Sequence, residues 1–395
     1  MGSTPAPGVA SRRPRRVAGP RAESLNSESV RSAEKVTGGG ANHDARGVRA
    51  PPPQHSYAFS NSLETRITTS HYCLMHAPLS RRQFITTTTT ASVLTMLSGL
   101  PTRAATFRGK IRKAMIINEV IEKALEPLKT AGFDGVETTH ICPEAEAAAG
   151  RAVAEKLGLK VHSVLRGWME FNSEDPQKVE ASLESVRLAL RAAKAYGASA
   201  ILVVPCRVGG MPMPEPWEFD IAFDEKTGHV TRVAAGDNSK YAAYISAQNR
   251  ATDTSRAAVE KLIPLAEQLQ VVIALENVWN NLWVKPALYK QFVASFANPW
   301  VKSYFDIGNH VKYAPPQDWI KALGPLIAKL HIKDFKLKPD GHGGDFVHPR
   351  DGSIDWPAVR QALSDVDYDG WASIEDGGLE LAEFSRRFDL IIEGK

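Results

Sequence analysis

From residue 110 to the C-terminus, short apolar runs of strand length alternate with longer amphipathic stretches of helical period. Parallel strands need a crossover connection, usually a helix, so this alternation predicts consecutive βα units. Eight strands and eight helices fit into about 285 residues, which favours a closed (β/α)8 TIM barrel over an open sheet. The predicted strands are 111–117, 135–138, 160–164, 200–204, 271–276, 301–305, 326–332 and 371–375. The predicted helices are 119–130, 143–157, 176–196, 239–269, 286–297, 316–323, 356–363 and 379–392.

One long insertion separates the fourth predicted strand from its helix. Residues 205–238 contain MPMPEPWEF and then FDEKTGHVTRV, which predicts a hairpin that turns at Lys226, Thr227 and Gly228. Because it follows a strand, the insertion belongs to the catalytic face of a TIM barrel. A lid, a wall of the substrate site, a surface decoration and a contact in a homo-oligomer all stay open.

The charge is unevenly distributed along the chain. Residues 1–110 hold 15 Lys and Arg against 5 Asp and Glu, whereas residues 111–395 hold 33 against 39. The barrel is therefore mildly acidic, which argues against a nucleic-acid partner, since phosphate contacts need a basic surface. Residues 1–74 are rich in Arg, Ser, Pro and Gly, and we expect them to be a disordered or mis-started extension.

Residues 75–105 have the pattern of a twin-arginine export signal. Arg81 and Arg82 precede a weakly apolar, Thr-rich run that ends at Pro101 and a small-residue segment. The run is too polar for a convincing transmembrane helix, so we expect no stable membrane insertion after the signal is removed. Met75 lies just before the arginines and could be the true start. The pattern predicts an exported, periplasmic protein.

Four potential metal ligands stand at or near the ends of consecutive predicted strands. They are Glu276, Asp306, His331 and Glu375. Strand ends of a parallel barrel gather on one face, so the four side chains can hold one divalent cation. A carboxylate-rich set with one imidazole suits Mn²⁺ best, with Mg²⁺, Co²⁺ or Zn²⁺ as alternatives.

This ligand set favours proton transfer next to a carbonyl group. A metal ion in an open site can polarise the carbonyl of a sugar and stabilise the enediolate formed beside it. Glu276 and Glu375 would flank the substrate, one removing a proton and the other returning one. On the same rim we expect substrate contacts from Glu137, His162, Asn309 and Lys333. Arg207 lies in a rim loop and is a further candidate.

Six motifs resemble the xylose isomerase-like TIM-barrel superfamily, in its sugar (phosphate) isomerase/epimerase branch. The pattern is most similar to L-ribulose/L-xylulose-5-phosphate 3-epimerases and more distantly to D-tagatose 3-epimerase. The resemblance implies a metal on Glu276, Asp306, His331 and Glu375, with the two glutamates as catalytic acid and base. The motifs are AGFDGVE (131–137), ALEN (274–277), FDIGN (305–309), LHIKD (330–334), DGSIDW (351–356) and SIED (373–376).

The sequence departs from ketohexose epimerases at two places. Asn309 stands where those enzymes carry a histidine three residues after the metal aspartate. Beyond the metal histidine the chain has lysines, beginning with Lys333, where those enzymes have an arginine. The departures disfavour a free ketohexose, and export disfavours a sugar phosphate. We therefore expect an oxidised or free sugar derivative outside the cytoplasm.

Three alternatives to a sugar isomerase or epimerase remain open at this point. A dehydratase or lyase acting on a keto-sugar or inosose would use the same metal and the same enediolate. An endonuclease IV-like phosphodiesterase would need further metal ligands and a basic groove. A non-catalytic sugar-binding barrel would bind metal without turnover.

Overall fold

The computed structural model describes residues 109–395. The predicted disordered extension (1–74) and the predicted export signal (75–105) lie outside the described residues. Within residues 109–395, no helix is both long and apolar enough to cross a membrane.

Eight parallel strands form a closed barrel, in the order β1-β12-β9-β8-β7-β4-β3-β2. The first and last barrel strands pair directly, with Ile111 opposite Gly370 and Met115 opposite Ile374. This confirms the predicted (β/α)8 TIM barrel. The strands are β1 Ile111–Ile117, β2 Gly135–Thr138, β3 Lys160–Trp168, β4 Ala200–Val204, β5 Phe219–Phe223, β6 Val230–Ala234, β7 Val272–Leu275, β8 Val301–Asp306, β9 Ile327–Ile332, β10 Asp334–Leu337, β11 Gly344–Val347 and β12 Gly370–Ile374.

Within residues 109–395, seven α-helices connect the barrel strands and an eighth follows β12. They are α1 Glu122–Thr130, α2 Glu144–Lys156, α3 Pro176–Tyr196, α4 Ala242–Leu269, α5 Pro286–Ala294, α6 Pro316–Leu323, α7 Trp356–Asp365 and α8 Leu381–Ile392. Local sequence sets several ends: the side chain of Asp175 accepts a hydrogen bond from the Gln177 amide at the start of α3. Gly197 ends the same helix at φ 76°, a left-handed conformation that costs glycine little.

Several element bounds differ from the predicted ones by one to four residues. Strand β3 continues beyond residue 164 to Trp168, because a register shift between Leu165 and Gly167 lets it keep pairing with β4. Helix α1 begins at Glu122 rather than at residue 119.

The insertion after β4 forms the predicted antiparallel hairpin. Strand β5 pairs with β6, and the side chain of Asp224 accepts hydrogen bonds from the amides of Lys226 and Thr227 in the turn. A second antiparallel hairpin, β10–β11, follows β9 and was not predicted. Its loop, KPDGHGG, has the composition of an irregular connection. The second hairpin therefore adds a wall on the face where the barrel strands end.

The apolar core lies mainly between the barrel and its helices, and a smaller apolar cluster fills part of the barrel interior. Polar side chains share that interior beneath the face where the strands end: Glu137, His162, Ser163 and Ser373 are all buried. Buried polar groups need partners. The barrel floor therefore holds a hydrogen-bonded layer directly under the candidate ligands.

Candidate metal centre and adjoining cavity

The four predicted ligands converge at the carboxyl ends of four neighbouring strands. Asp306 ends β8 and His331 lies in β9, while Glu276 and Glu375 directly follow β7 and β12. One donor atom from each residue lies within 4.8 Å of the donor atoms of the other three. The barrel order places the two glutamates at the outer ends of this set.

Backbone amides fix the orientation of Asp306. The amides of Gly308 and Asn309 each donate to Oδ1 over 2.7 Å. The other oxygen, Oδ2, is buried and has no hydrogen-bond partner within residues 109–395. An unpaired buried carboxylate oxygen is costly unless a cation completes it, so Oδ2 has the properties of a metal ligand.

His331 is oriented by a carboxylate behind it. Its Nε2 lies 2.7 Å from Oε2 of Glu137, and because a carboxylate accepts, Nε2 carries the proton. Nδ1 faces the cluster, 3.0 Å from Oε2 of Glu375 and 4.0 Å from Oδ2 of Asp306, and in the neutral imidazole it would present its lone pair there. Despite the short distance, Nδ1 forms no bond of acceptable hydrogen-bond geometry in the described part of the chain. This arrangement of carboxylate, imidazole and open lone pair is typical of metal-binding histidines.

Glu137 lies below the cluster and does not reach a substrate from the rim. It is fully buried, and besides His331 it accepts hydrogen bonds from Ser163 Oγ (2.9 Å) and Tyr304 OH (2.8 Å). These partners occupy both carboxylate oxygens. The structure thus makes Glu137 a positioning residue for His331, rather than the substrate contact expected from sequence.

The carboxylates of the cluster are close together and buried, so their charged forms are unfavourable unless a positive charge lies among them. Burial raises the pKa of Glu276 to about 8; the charge of His331 opposes the rise, and those of Glu375 and Asp306 add to it. Burial also raises the pKa of Asp306 to about 6, although the Lys333 ammonium opposes it. Burial raises the pKa of Glu375, but the close contact with a protonated His331 and the charge of Lys333 outweigh burial and hold this pKa well below its ordinary value. A bound cation would favour the charged form of every carboxylate here.

The donor set therefore fits a divalent metal ion. Three carboxylates and one imidazole face a common point, and two of the buried donor atoms make no hydrogen bond within residues 109–395. Oxygen-rich sets with one histidine suit Mn²⁺, Mg²⁺ or Co²⁺, and Zn²⁺ also accepts such ligands. Glu276, Asp306, His331 and Glu375 are the residues that would hold the ion.

Asn309 and Lys333 contact the cluster from the cavity side. The Asn309 side chain donates to Oε1 of Glu276 over 3.1 Å, and its own oxygen lies 3.4 Å from Lys333 Nζ. Lys333 Nζ also lies 3.1 Å from Oε2 of Glu375. These two predicted substrate-binding residues thus tie the two glutamates together.

His162 and Arg207 lie farther from the four ligands than expected. His162 is buried in the barrel, 2.9 Å from Ser373 Oγ and stacked on Trp371. Arg207 stays on the rim, where it donates to the carbonyl oxygen of Trp279 and lies 5.4 Å from the Trp168 ring centroid. Neither side chain joins the cluster, and His162 belongs to the hydrogen-bonded layer beneath it.

A cavity of about 520 Å³ opens beside Glu375 and Lys333. The hairpin β10–β11 forms one wall, and the segment after β12 forms another. Sequence reasoning predicted Lys333 and Glu375 but missed Lys336, Phe346 and His348, because it did not predict the hairpin. Six residues matter below: Lys333, Lys336, Phe346, His348, Glu375 and Asp376.

A comparison with known protein families identifies the family of this chain. Residues 125–388 match the xylose isomerase-like TIM barrel family. The chain belongs to this family. The resemblance found in the motifs is thereby confirmed at the level of the family.

Solved structures of sugar epimerases share the fold of this xylose isomerase-like barrel. An apo 3-keto-D-glucoside 4-epimerase, YcjR, from E. coli is 15% identical with a TM-score of 0.54, covering 71% of this chain and 99% of that chain. An L-ribulose 3-epimerase (18%, TM-score 0.53) covers 72% of this chain and 95% of its own. A D-tagatose 3-epimerase-like protein (18%, TM-score 0.54) covers 72% and 99%. No curated protein sequence matches the chain.

Proposed function

We propose that this protein is a divalent-metal-dependent sugar isomerase or epimerase that moves a proton at a carbon next to a carbonyl group. The observation that carries the proposal is the convergence of Glu276, Asp306, His331 and Glu375 at the edge of a cavity. Similarity in fold to three sugar epimerases supports the same reaction class.

The metal and the two glutamates have separate roles in this proposal. A bound divalent cation supplies Lewis acidity, which polarises a sugar carbonyl and stabilises the enediolate beside it. Glu276 and Glu375 act as base and acid at the two faces of the reacting carbon. Their place at the outer ends of the ligand set allows a substrate to lie between them.

Two neighbouring residues hold the acid and base in position. Asn309 donates to Glu276, and Lys333 lies within 3.1 Å of Glu375. Each glutamate therefore has one fixed oxygen contact besides the cluster. Because the ammonium of Lys333 also lines the cavity, it is placed to hold a substrate oxygen when a sugar is bound.

The proposed substrate is an oxidised or free sugar derivative met outside the cytoplasm. This part of the proposal depends on the twin-arginine pattern in residues 75–105. The 3-keto-D-glucoside specificity of one structural neighbour supports it. Fusion of residues 75–110 to a reporter would test export, and retention of the fusion in the cytoplasm would refute it.

Metal analysis combined with isotope exchange tests the central proposal. We expect one tightly bound divalent ion per chain and solvent-deuterium incorporation into at least one member of a panel of ketoses and 3-keto-sugars. Absence of exchange with every sugar, in protein loaded in turn with Mn²⁺, Mg²⁺, Co²⁺ and Zn²⁺, would refute proton transfer. Loss of water from a keto-sugar or inosose, without epimerisation, would instead identify a dehydratase.

A further inference from the structure

The cavity beside Glu375 extends well beyond the candidate metal centre. Of the four metal-centre residues, Glu375 is the one that lines it, and the remaining lining comes from the β10–β11 hairpin and the segments around residues 351 and 376. Its volume is about 520 Å³. A single pyranose of twelve non-hydrogen atoms occupies about 200 Å³ at the packing density of molecular crystals. A sugar ring held at the metal centre would leave most of this cavity unfilled.

An aromatic side chain forms part of the outer wall. Phe346 in β11 keeps 43% of its surface exposed although it is large and apolar. It is held in place by stacking on Trp279, with ring centroids 5.0 Å apart, and by an edge contact with Phe335 at 5.3 Å, while Lys333 Nζ lies over the ring at 4.9 Å from its centroid. The exposed part of this ring, beside a polar cavity, offers an apolar surface to the C–H groups of a pyranose.

Polar groups with free hydrogen-bonding capacity line the same cavity. His348 Nδ1 lies 2.7 Å from Asp376 Oδ2, which fixes the imidazole. Within residues 109–395, neither Nε2 of His348 nor Nζ of Lys336 makes a hydrogen bond. A few placed polar groups around an aromatic surface are typical of a site that orients a hydroxylated ligand.

Most of the charged groups along the cavity walls already have partners. Lys333 lies 3.1 Å from Glu375, His348 Nδ1 lies 2.7 Å from Asp376, and Arg387 lies 2.8 Å from Asp351. The hydroxyl groups of a neutral sugar ring can accept from the ammonium of Lys336 and donate to the carboxylates, so such a ring would meet hydrogen-bonding groups of both kinds.

We infer that the substrate is a glycoside, with the reacting sugar at the metal centre and a second, neutral pyranose ring seated against Phe346. This inference rests on the proposed function for the reacting ring alone. The second subsite is a binding site of its own, formed by the β10–β11 hairpin and the segment after β12. Phe346, Lys336 and His348 are its specificity-determining residues.

Deuterium-exchange rates with one-ring and two-ring substrates test whether a second sugar ring is bound. The substrates are 3-keto-D-glucose, its 6-phosphate, and the 3-keto forms of maltose, cellobiose and sucrose. We expect at least one disaccharide to exceed 3-keto-D-glucose by tenfold or more in kcat/KM. A disaccharide set that never exceeds the single ring, or a preference for the phosphate, would overturn the inference and leave the proposed function intact.

Substitutions test whether the preference for a disaccharide arises at the β10–β11 hairpin. Phe346→Ala should lower kcat/KM for the preferred disaccharide about tenfold and change that for 3-keto-D-glucose less than twofold. Leu188→Ala is the control, because Leu188 is similarly exposed (50%) but lies in helix α3, outside the β10–β11 hairpin. Equal losses on both substrates in Phe346→Ala, or the same loss in Leu188→Ala, would refute the subsite.

Calorimetric binding separates this inference from the proposed function. Maltose, cellobiose, sucrose and D-glucose are titrated into Mn²⁺-loaded protein, with no turnover required. At least one disaccharide should bind tenfold more tightly than D-glucose in the parent and lose that advantage in Phe346→Ala. If no sugar exchanges deuterium but this advantage is present, the proposed reaction fails and the subsite stands; if the advantage is absent, the subsite fails.

Discussion

The imidazole of His331 donates from Nε2 to the buried carboxylate of Glu137 over 2.7 Å, across the interior of the barrel. The two residues belong to β9 and β2, which are not neighbours in the closed sheet. The contact fixes which ring nitrogen bears the proton and leaves Nδ1 available to a cation. Glu137 thus orients one candidate ligand without belonging to the candidate metal centre.

Replacing Glu137 by Gln should weaken divalent-metal binding by about 10–100-fold, as for other residues behind a metal-binding histidine. Glutamine keeps the volume but loses the charge that holds the imidazole. Competition titration with a chromophoric chelator measures the affinity. Ser163→Ala removes a neutral partner of the same carboxylate and is the control, with a smaller expected effect. Unchanged affinity in Glu137→Gln would contradict the positioning role.

Asp306→Asn should have opposite effects on the metal-free and metal-loaded protein. Removing one of three crowded carboxylates should stabilise the metal-free protein by about 1 kcal/mol, because repulsion and burial of charge are relieved. The same change should abolish the rise in melting temperature that Mn²⁺ gives the parent. Thermal unfolding with EDTA and with Mn²⁺ measures both. Metal stabilisation equal to that of the parent would remove Asp306 from the ligand set.

Glu276→Gln and Glu375→Gln should each lower deuterium exchange by roughly 10²–10⁴-fold at saturating metal, because glutamine cannot accept the substrate proton. Single-turnover exchange followed by NMR measures the rate. Metal content is determined for each variant, so that loss of the ion is distinguished from loss of the acid or base. A fully active variant with metal bound would reject the catalytic assignment.

Acid should destabilise the fold partly through His310. Burial lowers the pKa of His310 to about 3, and the charge of Lys312 adds to the effect. The unfolded chain takes up the proton near pH 6.5, so this residue's contribution falls by about 1.4 kcal/mol for each pH unit below 6.5, down to about pH 3. Above pH 6.5 both states are neutral and the contribution is constant.

Urea unfolding in EDTA between pH 4.5 and 7.5 measures this slope. His310 contacts the rings of Tyr313 and Trp319, so His310→Phe keeps an aromatic side chain there. Subtracting the variant from the parent isolates the histidine, since the carboxylates of the metal centre titrate in both proteins. Parallel curves for the two proteins would contradict the prediction.

Gly135→Ala should destabilise the protein by about 1–3 kcal/mol through overpacking. A Cβ at this position would meet the carbonyl oxygen of Lys160 and lie 2.7 Å from the ring of Trp371. Urea denaturation measures the change. Gly377→Ala is the control: its Cβ would have nothing within 4 Å, so we expect an effect within about 0.5 kcal/mol. Similar losses in both variants would contradict the packing argument.

The ligand set could be predicted from sequence because it depends on one local rule. Each ligand stands at or near the carboxyl end of an apolar strand, and parallel barrel strands all end on one face. The closed barrel was predictable for the same reason, since the alternation of strands and helices is a local signal. The hairpin β5–β6 was also predictable, from a turn sequence between two apolar segments.

The roles of the inward-facing polar residues depend on contacts across the barrel, which no local pattern encodes. Glu137 and His162 both follow or lie in apolar strands, and the sequence does not show that one lies under His331 and the other against Ser373. Phe346 was missed for another reason. Its hairpin encloses a segment rich in glycine, which local propensity assigns to a loop although the strands pair in the structure.

Pairing of β1 with β12 has a consequence for how the protein is synthesised. Glu375 follows the last barrel strand, so a nascent chain still lacking β12 has three of the four candidate ligands and an unclosed sheet. Its unpaired edges would be β1 and β9, which are exposed to non-native strand pairing until β12 inserts between them. Closure of the barrel and assembly of the complete candidate ligand set are therefore one event.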